Sequence, residues 1–248
     1  MIELNHLVKK FGDLIAVNDI HLTVARGEFF AVLGPNAAGK TTTLRILAGL
    51  LKPTSGSASI AGFDVQKNPL EAKRRLAYVP DFPFLYDKLT PWEFFRFIGQ
   101  IFKMDEATIQ KGSRELVIRF NMEPFIHKPI EGLSHGTRQR VAIISALLHD
   151  PEVFVIDEPM VGLDPQHARI VKDILKERSL RGMTVFLSTH QLSVAEELAD
   201  RIGIIHQGKL VAVGTREELR QQSGASGALE ESFLSLTTDT PNESSKIL

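Results

Sequence analysis

Apolar and polar positions in the first eighty residues alternate in short runs separated by turn residues. Ile2–Val8 and Ile15–Val24 interleave Ile, Leu and Val with polar side chains, which predicts strands with one wet face. Phe29–Leu33 is an unbroken apolar run of strand length that stops at Gly34, the pattern of a strand buried on both faces. Thr41–Leu51 then carries Leu44, Leu47, Ala48 and Leu51 at helical spacing, with Pro53 just beyond. Turn residues Thr54–Ser57 lead into a strand around Ser57–Ile60, and Leu76–Val79 reads as a strand stopped by Pro80.

The middle third has a different pattern. Thr90 as N-cap, Pro91 at the first helical position and Glu93 three residues after the cap open a helix carrying Phe94, Phe95, Phe97, Ile98, Ile101 and Phe102. Gly112–Phe120 gives a second helical pattern, and no strand is predicted between about Asp81 and Pro151, so this region reads as a helical insert in a sheet-based domain. Alternation then resumes. Val153–Ile156 is a buried strand, and Asp164 caps a helix that starts at Pro165 and turns Val171, Ile174 and Leu175 inward. Met183–Leu187 is a strand and Leu192–Ala199 a helix. Ile202–Ile205 and Leu210–Val213 flank a hairpin turn at Gln207-Gly208, and Thr215–Glu218 is a capping box that opens a last helix. From Ser223 the composition shifts to Ser, Gly and Thr; Leu229–Leu236 can dock, and Thr237–Leu248 reads as a disordered tail.

Composition narrows the class. With 43% hydrophobic and 24% charged residues among 248, neither a wholly disordered nor a fibrous chain fits. Lys plus Arg number 29 against 30 Asp plus Glu, so there is no global attraction for nucleic acid, and none is expected as a partner. The absence of Cys excludes disulfides, thiolate zinc sites, iron–sulfur clusters and a Cys nucleophile, and agrees with a reducing compartment. No apolar window is long enough to span a membrane, and Met1–His6 lacks the basic start and apolar core of a signal peptide. The expectation is a cytoplasmic chain that meets a membrane only through a partner.

Candidate chemistry begins at Gly34-Pro35-Asn36-Ala37-Ala38-Gly39-Lys40-Thr41, two glycines four residues apart followed by Lys and a hydroxyl. This is the P-loop pattern: backbone N–H groups cradle phosphates and the following helix adds its positive end. Lys40 reaches the terminal phosphates and the Thr41 hydroxyl takes a position on Mg²⁺. Thr42 completes the cradle. A second acidic element is needed, and Val153–Ile156 ends in Asp157 and Glu158. Ligands of open parallel sheets bind beyond the carboxyl ends of strands, so Gly34 and Asp157 can share one site. Asp157 is assigned to the Mg²⁺ and Glu158 to the general base acting on the attacking water.

In this order the motifs resemble the ATP-binding subunit of an ABC transporter, over nearly the whole chain from Met1 to about Thr215. Leu133-Ser134-His135-Gly136-Thr137 is similar to that family's signature, Leu-Ser-Gly-Gly-Gln, with His135 and Thr137 as departures. The resemblance implies a P-loop NTPase core of α/β class with a mostly parallel sheet, an N-terminal antiparallel β portion and an inserted helical subdomain. The core would be residues 1–81 and 151–222, the subdomain 82–150, and 223–248 a C-terminal segment. It implies that Ser134 and the Gly136 N–H bind the γ-phosphate of ATP held by a second subunit. Val161–Asp164 resembles the family's D-loop, and His190, after Ser188-Thr189, would contact the γ-phosphate and orient water. Phe11 stands where the family has an adenine-stacking aromatic, although a core role fits it as well; Val17 would add an apolar contact to the base. Asp81 replaces the Gln that the family places near Mg²⁺, and reads either as an oxygen ligand or as a turn residue between Pro80 and Pro83.

Six of the 15 Phe fall between Phe82 and Phe102, which fits the core of a helical subdomain or a groove for a helix of a membrane partner. The resemblance thus implies ATP and Mg²⁺, hydrolysis of ATP, a second ATP-binding subunit (a copy or a relative) and a transmembrane permease at the inner face of the cell membrane. The Pro80-Asp81 turn and the Glu158–Pro165 stretch look most like exporters of the ABC-2 kind. A soluble ABC-type ATPase not coupled to transport is the alternative.

Overall fold

A computed structural model of the chain describes residues 1–222 and 233–234. Strands β1 (Ile2–Phe11), β2 (Leu14–Val24), β4 (Ser55–Ile60) and β5 (Phe63–Asp64) form an antiparallel sheet in the order β2-β1-β4-β5. The second sheet has six strands. These are β3 (Phe29–Leu33), β6 (Leu76–Val79), β7 (Val153–Asp157), β8 (Thr184–Thr189), β9 (Arg201–His206) and β10 (Lys209–Gly214), in the order β10-β9-β3-β8-β7-β6. All neighbours in it run parallel except the edge strand β10. Helices α1 (Lys40–Leu47) and α2 (Pro69–Arg75) precede β6. Between β6 and β7 the described elements are α3 (Pro91–Ile101), α4 (Glu106–Arg119), a short 3₁₀ turn and α5 (His135–Leu147). Helices α6 (Pro165–Leu180), α7 (Leu192–Leu198) and α8 (Arg216–Gln222) complete the chain.

The six-stranded sheet divides two cores, and β3 shows how. Alternate side chains of a strand point to opposite faces. Phe29, Ala31 and Leu33 join a cluster with α3–α7, whereas Phe30 and Val32 join one with α1 and the antiparallel sheet. The same parity divides Phe154 and Ile156 from Val153 and Val155 on β7. Strands buried on both faces read as apolar runs, and these do, β7 as far as Asp157 at its end.

Several boundaries differ from the sequence expectation for local reasons. The β1–β2 ribbon continues through Lys9, Lys10 and Phe11 because backbone pairing needs no apolar alternation. Helix α1 stops at Leu47, with Gly49 in the left-handed region two residues on. Asp105, whose carboxylate accepts the Thr108 N–H at 2.8 Å, starts α4 well before Gly112. Helix α5 begins at His135, inside the signature segment, because Ser134 is its cap. Helix α2 buries one side chain, Ala72, so no apolar stripe announced it. Ion pairs from Glu71 to Arg74 and Arg75 support it instead. Phe233 packs against the larger core. The rest of Leu229–Leu236, and all of Thr237–Leu248, lie outside the described residues.

The parallel register brings the candidate residues together. Leu33 pairs with Thr189, Asp157 with Ser188, and Val79 with Ile156. The segments starting at Gly34, Glu158, His190 and Pro80 therefore leave the sheet along one edge.

Candidate functional site: a phosphate-binding groove and its acidic wall

The P-loop runs from Gly34 to the first turn of α1. Gly39 caps that helix at φ 108°, and a Cβ there would lie 2.4 Å from the Ala16 carbonyl oxygen, so only glycine fits. Because Gly39 has no side chain to cap α1, the first N–H groups of the helix are free of side-chain partners and available to an anion. Ala37 also adopts a left-handed φ, 64°.

Lys40 is buried, 6% exposed, and its Nζ donates to the carbonyl oxygens of Gly34 at 2.7 Å and Pro35 at 3.1 Å. Burial holds its pKa below the usual lysine value, against the opposing pull of Glu158 and Asp157. Nζ stands 3.9 Å from Glu158 Oε1. A groove of about 310 Å³ covers the P-loop residues from Pro35 to Thr42, and Phe11, Leu14, Ala16, Asp81, Asp157 and Glu158 also line it.

Asp157 is 1% exposed at the end of β7. Its Oδ2 accepts the Thr41 hydroxyl at 2.8 Å and its Oδ1 accepts the Ser188 hydroxyl. Both acidic oxygens are thus fixed, and a hydroxyl and a carboxylate meet at the foot of the groove. This hard oxygen pair suits a divalent cation such as Mg²⁺. Among the described residues no group of three or more His, Cys, Asp or Glu could hold a metal by itself. A cation here would need phosphate oxygens and water to complete its shell, which is how Mg²⁺ binds at phosphate sites.

The next residue, Glu158, sits at φ 46° with its N–H donating to the Ser188 carbonyl at 3.0 Å. That turn throws the carboxylate away from the strand. Glu158 Oε1 lies 2.9 Å from His190 Nδ1, and both follow strand ends. A carboxylate pinned between a buried ammonium and an imidazole is oriented to accept a proton from a bound water.

The structure bears on three of the residues assigned to the site. Val17 is fully buried in the smaller core and does not line the groove; Ala16 and Leu14, on the same strand, do. Phe11 lines the groove half-exposed, with the Lys9 ammonium 4.9 Å from its ring, so a core role is excluded. Asp81 lines the groove as well. Ser188 was missed, since a strand serine carries no signal until its register opposite Asp157 is known.

Ser134 and Gly136 do not line this groove. Ser134 caps α5, accepting the Thr137 N–H at 3.3 Å, with the two hydroxyls 2.9 Å apart. Asp164 caps α6 and is held below the usual carboxylate range by hydrogen bonds from His167. A second, largely apolar cavity of about 500 Å³ lies between β6, α3 and α5, lined by Pro83, Phe84, Phe94, Ile98, Phe102 and their neighbours. Phe84 is 86% exposed at its mouth.

A buried parallel strand feeding a phosphate loop, beside another ending in an acidic pair, defines a P-loop ATPase. The chain belongs to the ABC transporter family, whose sequence model, described as "ABC transporter", matches residues 17–161. It is 33% identical over 243 residues to the linearmycin resistance ATP-binding protein LnrL of Bacillus subtilis (strain 168), covering 98% of this chain and 76% of that protein. It is 36% identical over 219 residues to Nod factor export ATP-binding protein I of Cupriavidus pinatubonensis (strain JMP 134 / LMG 1197), covering 88% of this chain and 67% of that one. Among solved structures, an ATP-binding subunit of an ABC transporter superimposes with a TM-score of 0.90 at 32% identity, covering 95% of this chain and 99% of that one. The dimeric post-hydrolysis state of an ATP-binding cassette bound to ADP and Pi matches with a TM-score of 0.79 at 28% identity, covering 87% of this chain and 98% of that one. The chain is an ABC-family ATPase, and no helix among the described residues is long and apolar enough to cross a membrane.

Proposed function

We propose that this chain powers export through a separate transmembrane permease, with two copies closing head to tail over two ATP molecules. The relatives named for linearmycin resistance and Nod factor export support the direction, and the dimeric ADP-bound cassette supports the pairing. The observation that carries the reading is the meeting of Lys40 and Glu158 in the P-loop groove, with His190 bonded to Glu158. Residues 1–81 and 151–222 hold the nucleotide, and 82–150 offers Ser134 and Gly136 to the partner's γ-phosphate. The apolar cavity beside Phe84 is the seat for a helix of the permease, which sets the chain on the inner face of the membrane.

The reaction is in-line attack of water on the γ-phosphorus, releasing ADP and phosphate. Gly34, Pro35, Asn36, Ala37, Ala38, Gly39 and Thr42 supply the backbone cradle, and Phe11 offers its ring to the adenine. Lys40 leaves its two carbonyl partners for the β- and γ-phosphate oxygens and stabilises the charge that develops there. Glu158 takes the proton of the attacking water; His190 holds that carboxylate through Nδ1 and presents its other nitrogen to the γ-phosphate. Thr41, Asp157 and Asp81 are the residues that would hold Mg²⁺, which when bound neutralises phosphate charge.

Steady-state phosphate release tests the assignment. Glu158→Gln keeps ATP binding and lowers turnover about 100- to 10,000-fold, the usual worth of a positioned base. Equal rates for the two proteins remove Glu158 from the mechanism.

A further inference from the structure

His135 is one of the two residues by which this chain departs from its family's signature, and no step above uses it. It is the first residue of α5, between Ser134 and Gly136, and helix capping does not need its side chain because Ser134 is the cap. Its imidazole lies 5.7 Å from the Phe82 ring, tilted by 32°. On another side it covers Gly162: a Cβ there would come within 2.3 Å of His135 Cδ2, at a backbone φ of 75°. The Gly162 carbonyl in turn packs on Gly136, 2.6 Å from where a Cβ would stand.

One imidazole therefore touches the segment after β6 and the loop before α6. Phe82 directly follows Asp81, which lines the ATP groove, and meets Phe84 edge-on at 6.4 Å; Phe84 lines the apolar cavity. Phe82 is 62% exposed, so the fold does not require this pair as core.

We propose that the Phe82–His135 contact is a positioning link. It joins a chain's own ATP groove, through Asp81, to the signature segment that the same chain presents to its partner's ATP. The proposal rests on the sandwich dimer: there, Asp81 and Ser134 of one chain serve different nucleotides. A linked pair fixes the N-terminus of α5 before the partner arrives, so less ordering is left for closure. Loosening it leaves ATP binding to a single chain alone and weakens closure.

The test uses the full chain in a Glu158→Gln background. One measurement is the affinity of the monomer for a fluorescent ATP analogue at low protein concentration; the other is the ATP concentration at half-dimerisation, by light scattering. Phe82→Leu and His135→Ala each raise the half-dimerisation concentration about tenfold, and the double variant is no worse than either, as expected for one shared contact. Monomer affinity stays within about twofold, and His135→Phe, which keeps a ring over Phe82, restores dimerisation to within about twofold of the parent. In the nucleotide-free chain, Phe82→Leu shifts the His135 ring-proton resonances. Parent-like dimerisation in a single variant, additive losses in the double, or an unmoved His135 resonance overturns the link while sparing the dimer. A parent that binds ATP and stays monomeric removes the dimer and the link together.

Discussion

Lys40 is held by two loop carbonyls and faced by Glu158 at 3.9 Å, so its ammonium is partnered before any phosphate arrives. Lys40→Ala removes the phosphate contact but leaves only two carbonyls at a groove wall to be rehydrated. Phosphate release should fall to background, while circular dichroism and the thermal midpoint stay close to wild type. A turnover rate near wild type would contradict the role given to Lys40. Ala37 makes a different prediction. Its φ of 64° costs an L-residue about 1–2 kcal/mol, and glycine returns roughly 0.5–1 kcal/mol of that as extra entropy in the unfolded chain. Ala37→Gly should therefore stabilise the chain by about 0.5–1 kcal/mol in urea titrations. Destabilisation would mean that the loop relaxes without strain. The P-loop and the acidic pair were legible at this scale because their chemistry depends on near neighbours in the chain. Val17 was not: its neighbour Ala16 faces the groove and Val17 the core, and the register shifts between β1 and β2 hide that parity from the sequence.

At the scale of elements, α3 and α5 are tied at their C-terminal ends by Phe102 and His149, whose rings stack 3.7 Å apart. Burial depresses the His149 pKa from 6.5 to about 4, against weaker opposing effects from the Leu76 backbone and Asp150. The unfolded chain therefore binds a proton at a pH where the folded one does not. The stability this site contributes is complete above about pH 6.5 and is lost as the pH falls towards 4, by about 2–3 kcal/mol. Urea midpoints measured across that range should fall less steeply for His149→Leu than for wild type; identical slopes would sink the assignment. Elements with a buried face were readable: β3, β7 and the capped starts of α3 and α6 all announced themselves. Those stabilised otherwise were not. Helix α2 rests on surface ion pairs, and β5 is a two-residue pairing with β4.

At the scale of the molecule, one sheet edge gathers the groove, the acidic pair and His190, while Ser134 and Gly136 stand outside that groove at the start of α5. Register produces this separation, and no single segment of sequence contains it. Ser188 illustrates the point, since it meets Asp157 only because β7 and β8 pair in parallel. In the proposed dimer, a second copy brings its signature segment to this chain's phosphate loop. The most direct test is the mass of Glu158→Gln in solution with Mg²⁺ and saturating ATP, measured by light scattering. The expected particle has twice the chain's 27.6 kDa and returns to one chain when ATP is removed. A particle that binds ATP and remains at the mass of one chain would contradict the head-to-tail pairing.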